Sequence, residues 1–256
     1  MKQVKLTVKE NRRIATDVML MVLEGDVSAV TKAGQFVNIQ LDGLYLRRPI
    51  SVCDVTENTL TIIYKLVGKG TEQMAIMPLG TELDVLTGLG NGYDLTLMEA
   101  QLHAGCDAST RASYPILLIG GGVGVPPMYN LAKRLIASGR RISVVLGFNT
   151  IDDVFFEGEF RKLTDDVTIA TADGSYGVKG FVTDALPEKY SYFFCCGPTP
   201  MLKAVHAATE TDGQMSFEER MGCGFGACMG CSCKTITGYK RICKDGPVLR
   251  KEEILW

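Results

Sequence analysis

The chain has 256 residues, 46% of them hydrophobic and 22% charged, with a formal net charge of −2. This is the balance of an ordinary soluble protein, long enough for more than one core. The near-neutral charge, with no basic run, argues against a nucleic-acid partner, and no apolar stretch approaches the roughly 18 residues of a membrane span.

The start, MKQVKLTVKE, alternates like a strand and has no apolar core of a secretory signal. Nine cysteines, five of them clustered, fit metal ligands in a reducing compartment better than scattered disulfides, so a cytoplasmic protein is expected. Through residue 100 the segments QVKLTVKE, DVMLMVLE, GQFVNIQL, YLRRPISV and TLTIIYKL read as short strands. Five or six of these predict a small antiparallel β-barrel over 1–100, with one helix at GTEQMAIM (70–77).

In YLRRPISV, Arg48 offers a rigid fork for a pyrophosphate, and the Ser51 hydroxyl offers a hydrogen bond to a flavin ring edge. In VGKGT (67–71), Gly68 and Gly70 allow close backbone approach. A surface Arg pair and an ordinary turn explain either motif alone; their order ahead of a nucleotide-type domain favours a flavin.

Residues 101–113 (QLHAGCDASTRAS) read as a linker or surface loop. From Tyr114 the pattern becomes strand–helix alternation, predicting a doubly wound α/β domain over 114–213. IGGGVGVPP (119–127) joins a buried strand to a helix; Gly120, Gly121, Gly122 and Gly124 are candidates to cradle a dinucleotide. Pro127 stands where the last glycine of a G-x-G-x-x-G fingerprint belongs, so a tight turn that binds nothing is the competing reading. CCGPTPM (195–201) ends a later strand at the same sheet edge and brings Cys196, Gly197 and Pro198 to that crevice. Asp152 and Asp153, with no basic cluster, lean toward NAD over NADP. His103 and His206, the only histidines, read as structural.

The last segment, 214–256, contains GCGFGACMGCSCK. Cys223, Cys228, Cys231 and Cys243 follow the C-x4-C-x2-C…C spacing of plant-type [2Fe–2S] centres, with Cys233 left over. Zinc is the bland alternative, but it usually takes paired C-x2-C units and only one is present. Disulfides are a third reading.

The order of flavin barrel, nucleotide domain and cluster tail resembles the ferredoxin–NADP reductase superfamily. Within it the chain is similar to the electron-transfer subunits of type B dihydroorotate dehydrogenases. LRRPIS (46–51), GKGT (68–71), LGNGY (89–93), GGGVGVPPM (120–128), TADGSYG (171–177), CGPTPMLKA (196–204) and EERMGCGFGAC (218–228) carry the resemblance.

It implies an α+β multidomain chain: an FAD-binding barrel, a doubly wound NAD domain and a small C-terminal [2Fe–2S] domain. FAD contacts carry over to Arg48, Pro49, Ile50, Ser51, Ile63, Tyr64, Lys65, Gly70 and Thr71, and cluster ligands to the same four cysteines. Lys65 stands where an Arg is often expected, keeping the charge without the fork. The stretch 103–114 looks foreign to the family.

The implied function is an electron-transfer subunit in de novo pyrimidine (UMP) biosynthesis, in a heterotetramer of two pairs. Electrons would pass from the FMN of a dihydroorotate-oxidising partner through [2Fe–2S] and FAD to NAD+. Cys196 and Ser51 would flank the nicotinamide–flavin contact, with no general acid or base required. A reductase subunit for another partner (ferredoxin transhydrogenase, sulfhydrogenase or oxygenase reductase type) is the alternative; the transhydrogenase type is expected to use an Asp ligand. A zinc-stabilised binding module without chemistry is a reading of another class.

Overall fold

The computed structural model describes residues 1–103 and 113–256. Six strands, β1 (Lys2–Ala15), β2 (Val18–Gly25), β3 (Phe36–Ile39), β4 (Arg48–Val55), β5 (Thr59–Lys65) and β6 (Glu82–Leu89), close an antiparallel barrel in the order β1-β2-β5-β4-β3-β6. Closure leaves no free edge. Leu6, Met21, Val37, Ile39, Leu60 and Ile62 fill its interior at no more than 1% exposure, so the expected alternation is real. Helix α1 (Lys69–Ala75) follows β5 and lids the barrel with Met74.

A second helix, α2 (Leu95–Leu102), was not expected: it runs into the stretch read as linker. Asp94 caps it by accepting from the Leu97 N–H (3.0 Å), and Met98 and Leu102, one turn apart, are buried. Most of the rest of that linker, and most of the stretch that looked foreign to the family, lies at 104–112, outside the described residues.

The second layer contains β7 (Ile116–Gly121), α3 (Val125–Ala137), β8 (Ile142–Phe148), α4 (Glu157–Arg161), β9 (Val167–Thr171), β10 (Val178–Lys179), β11 (Tyr192–Cys196) and α5 (Thr199–Ala208). Beyond them come β12 (Gly213–Ser216), the hairpin β13 (Ser232–Thr235) and β14 (Gly238–Arg241), and β15 (Val248–Arg250). The seven-stranded sheet runs β10-β9-β8-β7-β11-β12-β15, parallel except for β15. The chain steps outward from β7 in both directions, so the switch point lies between β7 and β11, where open α/β sheets bind ligands. The division expected at 213/214 falls inside β12, and β15 returns to the same sheet. The cysteine-bearing segment is thus an excursion between two strands of the nucleotide sheet.

One core joins the two layers. Leu20, Cys53 and Ile63 of the barrel pack with Met128, Leu131 and Leu135 of α3. Lys133 Nζ reaches both Asp54 oxygens (2.8 and 2.7 Å), and Arg134 donates to the Thr31 carbonyl. Among the described residues no helix is long and apolar enough to cross a membrane.

Candidate functional site

The cysteine loop follows β12 as a series of bends, with Gly224 (φ 79°) and Gly226 (φ 93°) in the left-handed region. It gathers the four predicted thiols as two pairs. The Cys223 sulfur accepts from the N–H groups of Ala227 (3.2 Å) and Cys228 (3.5 Å), and the Cys228 sulfur accepts from the Cys223 N–H (3.5 Å). The Cys231 sulfur accepts from the Cys243 N–H (3.4 Å).

Burial raises the Cys223 thiol, but the N–H groups of Cys228, Phe225 and Ala227 outweigh it and hold the thiol at about 6. Cys243 is pushed up to about 12 by burial and by the neighbouring Cys231 thiol. Thiols packed this closely ionise together only around a cationic centre. Two pairs match two irons taking two thiolates each; a structural zinc wants four donors on one centre. The residues therefore fit a [2Fe–2S] cluster. Cys233, on β13 opposite Lys240, takes part in none of these sulfur contacts, and burial raises its thiol.

The loop is seated on the barrel. Cys231, Ile242 and Cys243 pack against Phe36 of β3 and Leu89 of β6. Asn38 of β3, 1% exposed, donates to the Cys223 carbonyl (3.4 Å), and a Cβ on Gly224 would lie 2.3 Å from its amide nitrogen. Asn91 clamps the chain beyond Cys243: its amide donates to the Asp245 (3.2 Å) and Val248 (2.7 Å) carbonyls and accepts from the Val248 N–H (3.1 Å). Sequence reasoning missed both residues. The one available signal for Asn38 is a polar residue inside FVNI, a strand buried throughout.

Asn38 also pairs with Pro49 of β4, the strand that carries the flavin candidates. The Arg pair divides its work. Arg47 is held by Asp84 (2.6 Å) and donates to the Asp84 carbonyl (3.0 Å), tying the approach to β4 to β6. Arg48 has no carboxylate partner among the described residues; its guanidinium donates only to the Leu46 and Arg47 carbonyls and lies against Gly70, where a Cβ would be 2.2 Å from Nε. The Ser51 hydroxyl, half-buried, has no hydrogen-bond partner among the described residues. A spare guanidinium fork and a spare hydroxyl three residues apart on one strand fit a phosphate and a ring edge.

Pro49 and Ile50 lie between them, half-buried, with Ile50 packed on the barrel core. Thr71 is satisfied internally: its hydroxyl accepts from the Val67 N–H (2.9 Å) and donates to the Gly68 carbonyl (3.0 Å), bracing the turn. On β5 the side chains diverge. Ile63 is spent in the inter-layer core, Tyr64 points into the barrel and donates to Asn11 (3.3 Å), and Lys65 is exposed. Any flavin contact by Ile63 and Tyr64 falls to their backbone.

The glycine run and Cys196–Pro198 meet at the switch point. Cys196 pairs with Gly120 of β7 and Ser216 of β12. A Cβ on Gly124 would lie 2.2 Å from the Cys196 carbonyl oxygen, and one on Gly121 would lie 2.3 Å from the Met201 sulfur. Gly120 is pressed by Val125, and Gly197 faces Met201. Of the glycines read as a cradle, only Gly122 (φ 52°) faces open space. The rest allow two loops to touch. Val125, Pro126 and Pro127 open α3, so two of its first three residues lack an N–H, and its start offers an anion little. The Cys196 thiol is pushed up to about 12 by burial. Tyr93, at the end of the barrel chain, donates to the Cys195 carbonyl (3.2 Å). Asp153 is occupied as a turn cap for Thr150. His206 contacts the Lys251 carbonyl (3.3 Å) and the Trp256 ring, as a structural residue would.

Residues 218–255 match the iron–sulfur cluster binding domain of dihydroorotate dehydrogenase B, and residues 118–207 match the oxidoreductase NAD-binding domain. The electron transfer subunit of dihydroorotate dehydrogenase B (NAD(+)) from Shouchella clausii is 42% identical, over 99% of this chain and 98% of that one. The chain belongs to that family of electron transfer subunits. The family's member from Fusobacterium nucleatum is 43% identical over 97% and 96% of the two chains. Among solved structures, a chain of an NADH-dependent reduced ferredoxin–NADP oxidoreductase superposes with a TM-score of 0.83 at 31% identity, covering 98% of this chain and 90% of that one. Family membership accounts for the shared layout of barrel, switch-point crevice and cysteine loop.

Proposed function

We propose that this chain is the NAD+-reducing electron-transfer subunit of a dihydroorotate-oxidising complex in pyrimidine biosynthesis, working in the cytoplasm beside an FMN-carrying partner as a heterotetramer of two pairs. Full-length similarity to the family supports it. The observation that carries it is structural: two thiol pairs seated on the barrel through Asn38, which pairs with the strand bearing Arg48 and Ser51. The three units read from the sequence are retained as functional divisions.

Cys223 and Cys228 would hold one iron, and Cys231 and Cys243 the other. Arg48 would neutralise the FAD pyrophosphate, with Pro49, Ile50, Ser51, Ile63, Tyr64, Lys65, Gly70 and Thr71 lining the rest of its site. Bound here, the cluster supplies single-electron transfer, and the flavin interconverts single electrons with the hydride that nicotinamide takes. The chain's residues supply position and dryness. Half-buried and un-ionised, Cys196 would offer the nicotinamide a neutral, polarisable sulfur rather than a nucleophile. Gly122 would leave room for NAD, while Gly120, Gly121 and Gly124, with Gly197 and Pro198, would hold together the two loops that frame its site. Cys228, with exposed Phe225 and Met229, reaches solvent, which supports electron entry from the partner on that side.

The test is anaerobic reduction of the purified chain by NADH, followed by flavin absorbance and cluster EPR. Bleaching of the flavin and a [2Fe–2S] signal are expected, and co-purification should bring down an FMN protein that oxidises dihydroorotate. Material with neither iron nor sulfide refutes the proposal.

A second reading, a reductase subunit serving another partner, draws on the likeness to the ferredoxin–NADP oxidoreductase chain. Its expected Asp ligand is absent here, where all four positions are Cys. Co-purification with a partner inert toward dihydroorotate would favour it.

A further inference from the structure

The four cysteines come from three separate pieces of chain, the loop of Cys223 and Cys228, the turn of Cys231, and the turn of Cys243. Arg241 bonds to two of these pieces, and its neighbour Ile242 bonds to the third. The Arg241 guanidinium donates through Nη1 to the Gly226 carbonyl (2.9 Å), midway between Cys223 and Cys228. Its other nitrogens grip Asp245 as a fork, Nε to Oδ2 (2.9 Å) and Nη2 to Oδ1 (3.2 Å), and its own N–H donates to the same carboxylate (3.0 Å). Its carbonyl accepts from the N–H groups of Lys244, Asp245 and Gly246, closing the turn around Cys243. The next residue, Ile242, donates its N–H to the Cys231 carbonyl (3.1 Å).

We infer that Arg241 is a positioning residue for the iron–sulfur cluster: braced by Asp245, it ties the loop of Cys223 and Cys228 to the turn of Cys243, which Ile242 joins to Cys231, and it sets a fixed positive charge beside the thiolates. The inference rests on the [2Fe–2S] reading above. The physical grounds are general. A planar guanidinium can hold a carboxylate in two bonds and still direct a third toward a carbonyl, which an ammonium cannot do in a fixed plane. A bound cluster carries net negative charge that grows by one on reduction. A cation held nearby favours the reduced form, and the partners behind the ligands tune both affinity and potential. Arg241 is three-quarters shielded, its side chain 26% exposed, so its charge is only partly screened.

The experiment compares wild-type protein with Arg241→Gln, Arg241→Lys and Asp245→Asn, all purified anaerobically as full chains. Three quantities are read: FAD content, the rate of iron loss to a chelator, and the EPR-monitored midpoint potential. FAD content reports an intact barrel, independent of the cluster. Arg241→Gln should keep its FAD, lose iron at least tenfold faster and favour the reduced cluster about tenfold less. For a one-electron couple that is a shift of about 59 mV toward negative values. Arg241→Lys should recover most of the potential but not the retention, because it keeps the charge and loses the fork. If Arg241→Gln yields no FAD-bearing protein, Asp245→Asn decides by the same two readings, with faster iron loss expected. Wild-type iron retention and potential in the Gln variant, or wild-type retention in Asp245→Asn where that variant decides, overturn the inference. A wild-type protein that holds no cluster overturns instead the reading on which it rests.

Discussion

Gly124→Ala tests how the switch-point crevice, the proposed nicotinamide site, is built. The new Cβ would stand 2.2 Å from the Cys196 carbonyl oxygen and 2.6 Å from the Gly197 nitrogen. Real Cβ contacts stop near 3.0 Å, so the two loops must part by about 0.8 Å. Both opposing atoms are backbone, so no rotamer change relieves the clash. Overpacking of this kind costs about 1–3 kcal/mol of stability. The functional cost is larger in proportion, because a misplacement near 1 Å at a reacting centre lowers rates by roughly 100-fold. The expected result is hydride exchange between NADH and flavin slowed by about 10- to 100-fold. Flavin content, iron content and the cluster EPR spectrum should be unchanged, since the barrel and the cysteine loop lie elsewhere. Anaerobic stopped-flow reduction by NADH measures it. Gly158→Ala in α4, where a Cβ meets nothing within 4 Å, is the control and should exchange hydride at the wild-type rate. A Gly124→Ala protein that does the same, with an unshifted melting temperature, would show that the loop contact does not set the crevice.

Other outcomes follow from the same geometry. Cys228→Ser or Cys231→Ser should abolish the cluster EPR signal and leave FAD bound, whereas Cys233→Ser should keep full iron and sulfide. Arg48→Ala should weaken FAD by about 10- to 100-fold, the worth of a charge-assisted contact of about 1.5–3 kcal/mol, measurable by titrating apo-protein with FAD. Arg47→Ala should spare the flavin contacts but cost the barrel about 1–2 kcal/mol in a denaturant melt, since it strands a largely shielded Asp84. Burial raises the Asp84 carboxyl, yet hydrogen bonds from Gln3 and Arg47 and the Arg47 charge outweigh it, leaving a net depressed pKa. Its stabilisation is therefore complete above the unfolded carboxylate value near 4 and disappears as pH falls through the lower folded value. Asp84→Asn should flatten the acid limb of stability against pH.

Strand period, the strand–helix alternation after Tyr114 and the spacing of Cys223, Cys228, Cys231 and Cys243 were legible because each is a local pattern, readable without knowing what lies across the chain. Helix α2 was missed because its signal is weak: an Asp94 cap and two buried residues, set beside a polar stretch. The glycine run was legible as a turn but not in its purpose. Only the folded chain shows Gly121 and Gly124 pressed against the loop of Cys196, more than seventy residues further along.

Residue types and their spacing are written in the chain, and from them follow the barrel, the doubly wound sheet and four thiols at cluster spacing. Tertiary structure alone decided which of these groups are free to act. Arg47 and Arg48 are adjacent and chemically identical, yet one is consumed by Asp84 and the other is left without a carboxylate among the described residues. Tyr64 and Ile63 turn into separate cores. Asn38, Asn91 and Arg241 became visible only through what they touch, because a hydrogen bond between distant segments depends on register and approach. No period or motif encodes those.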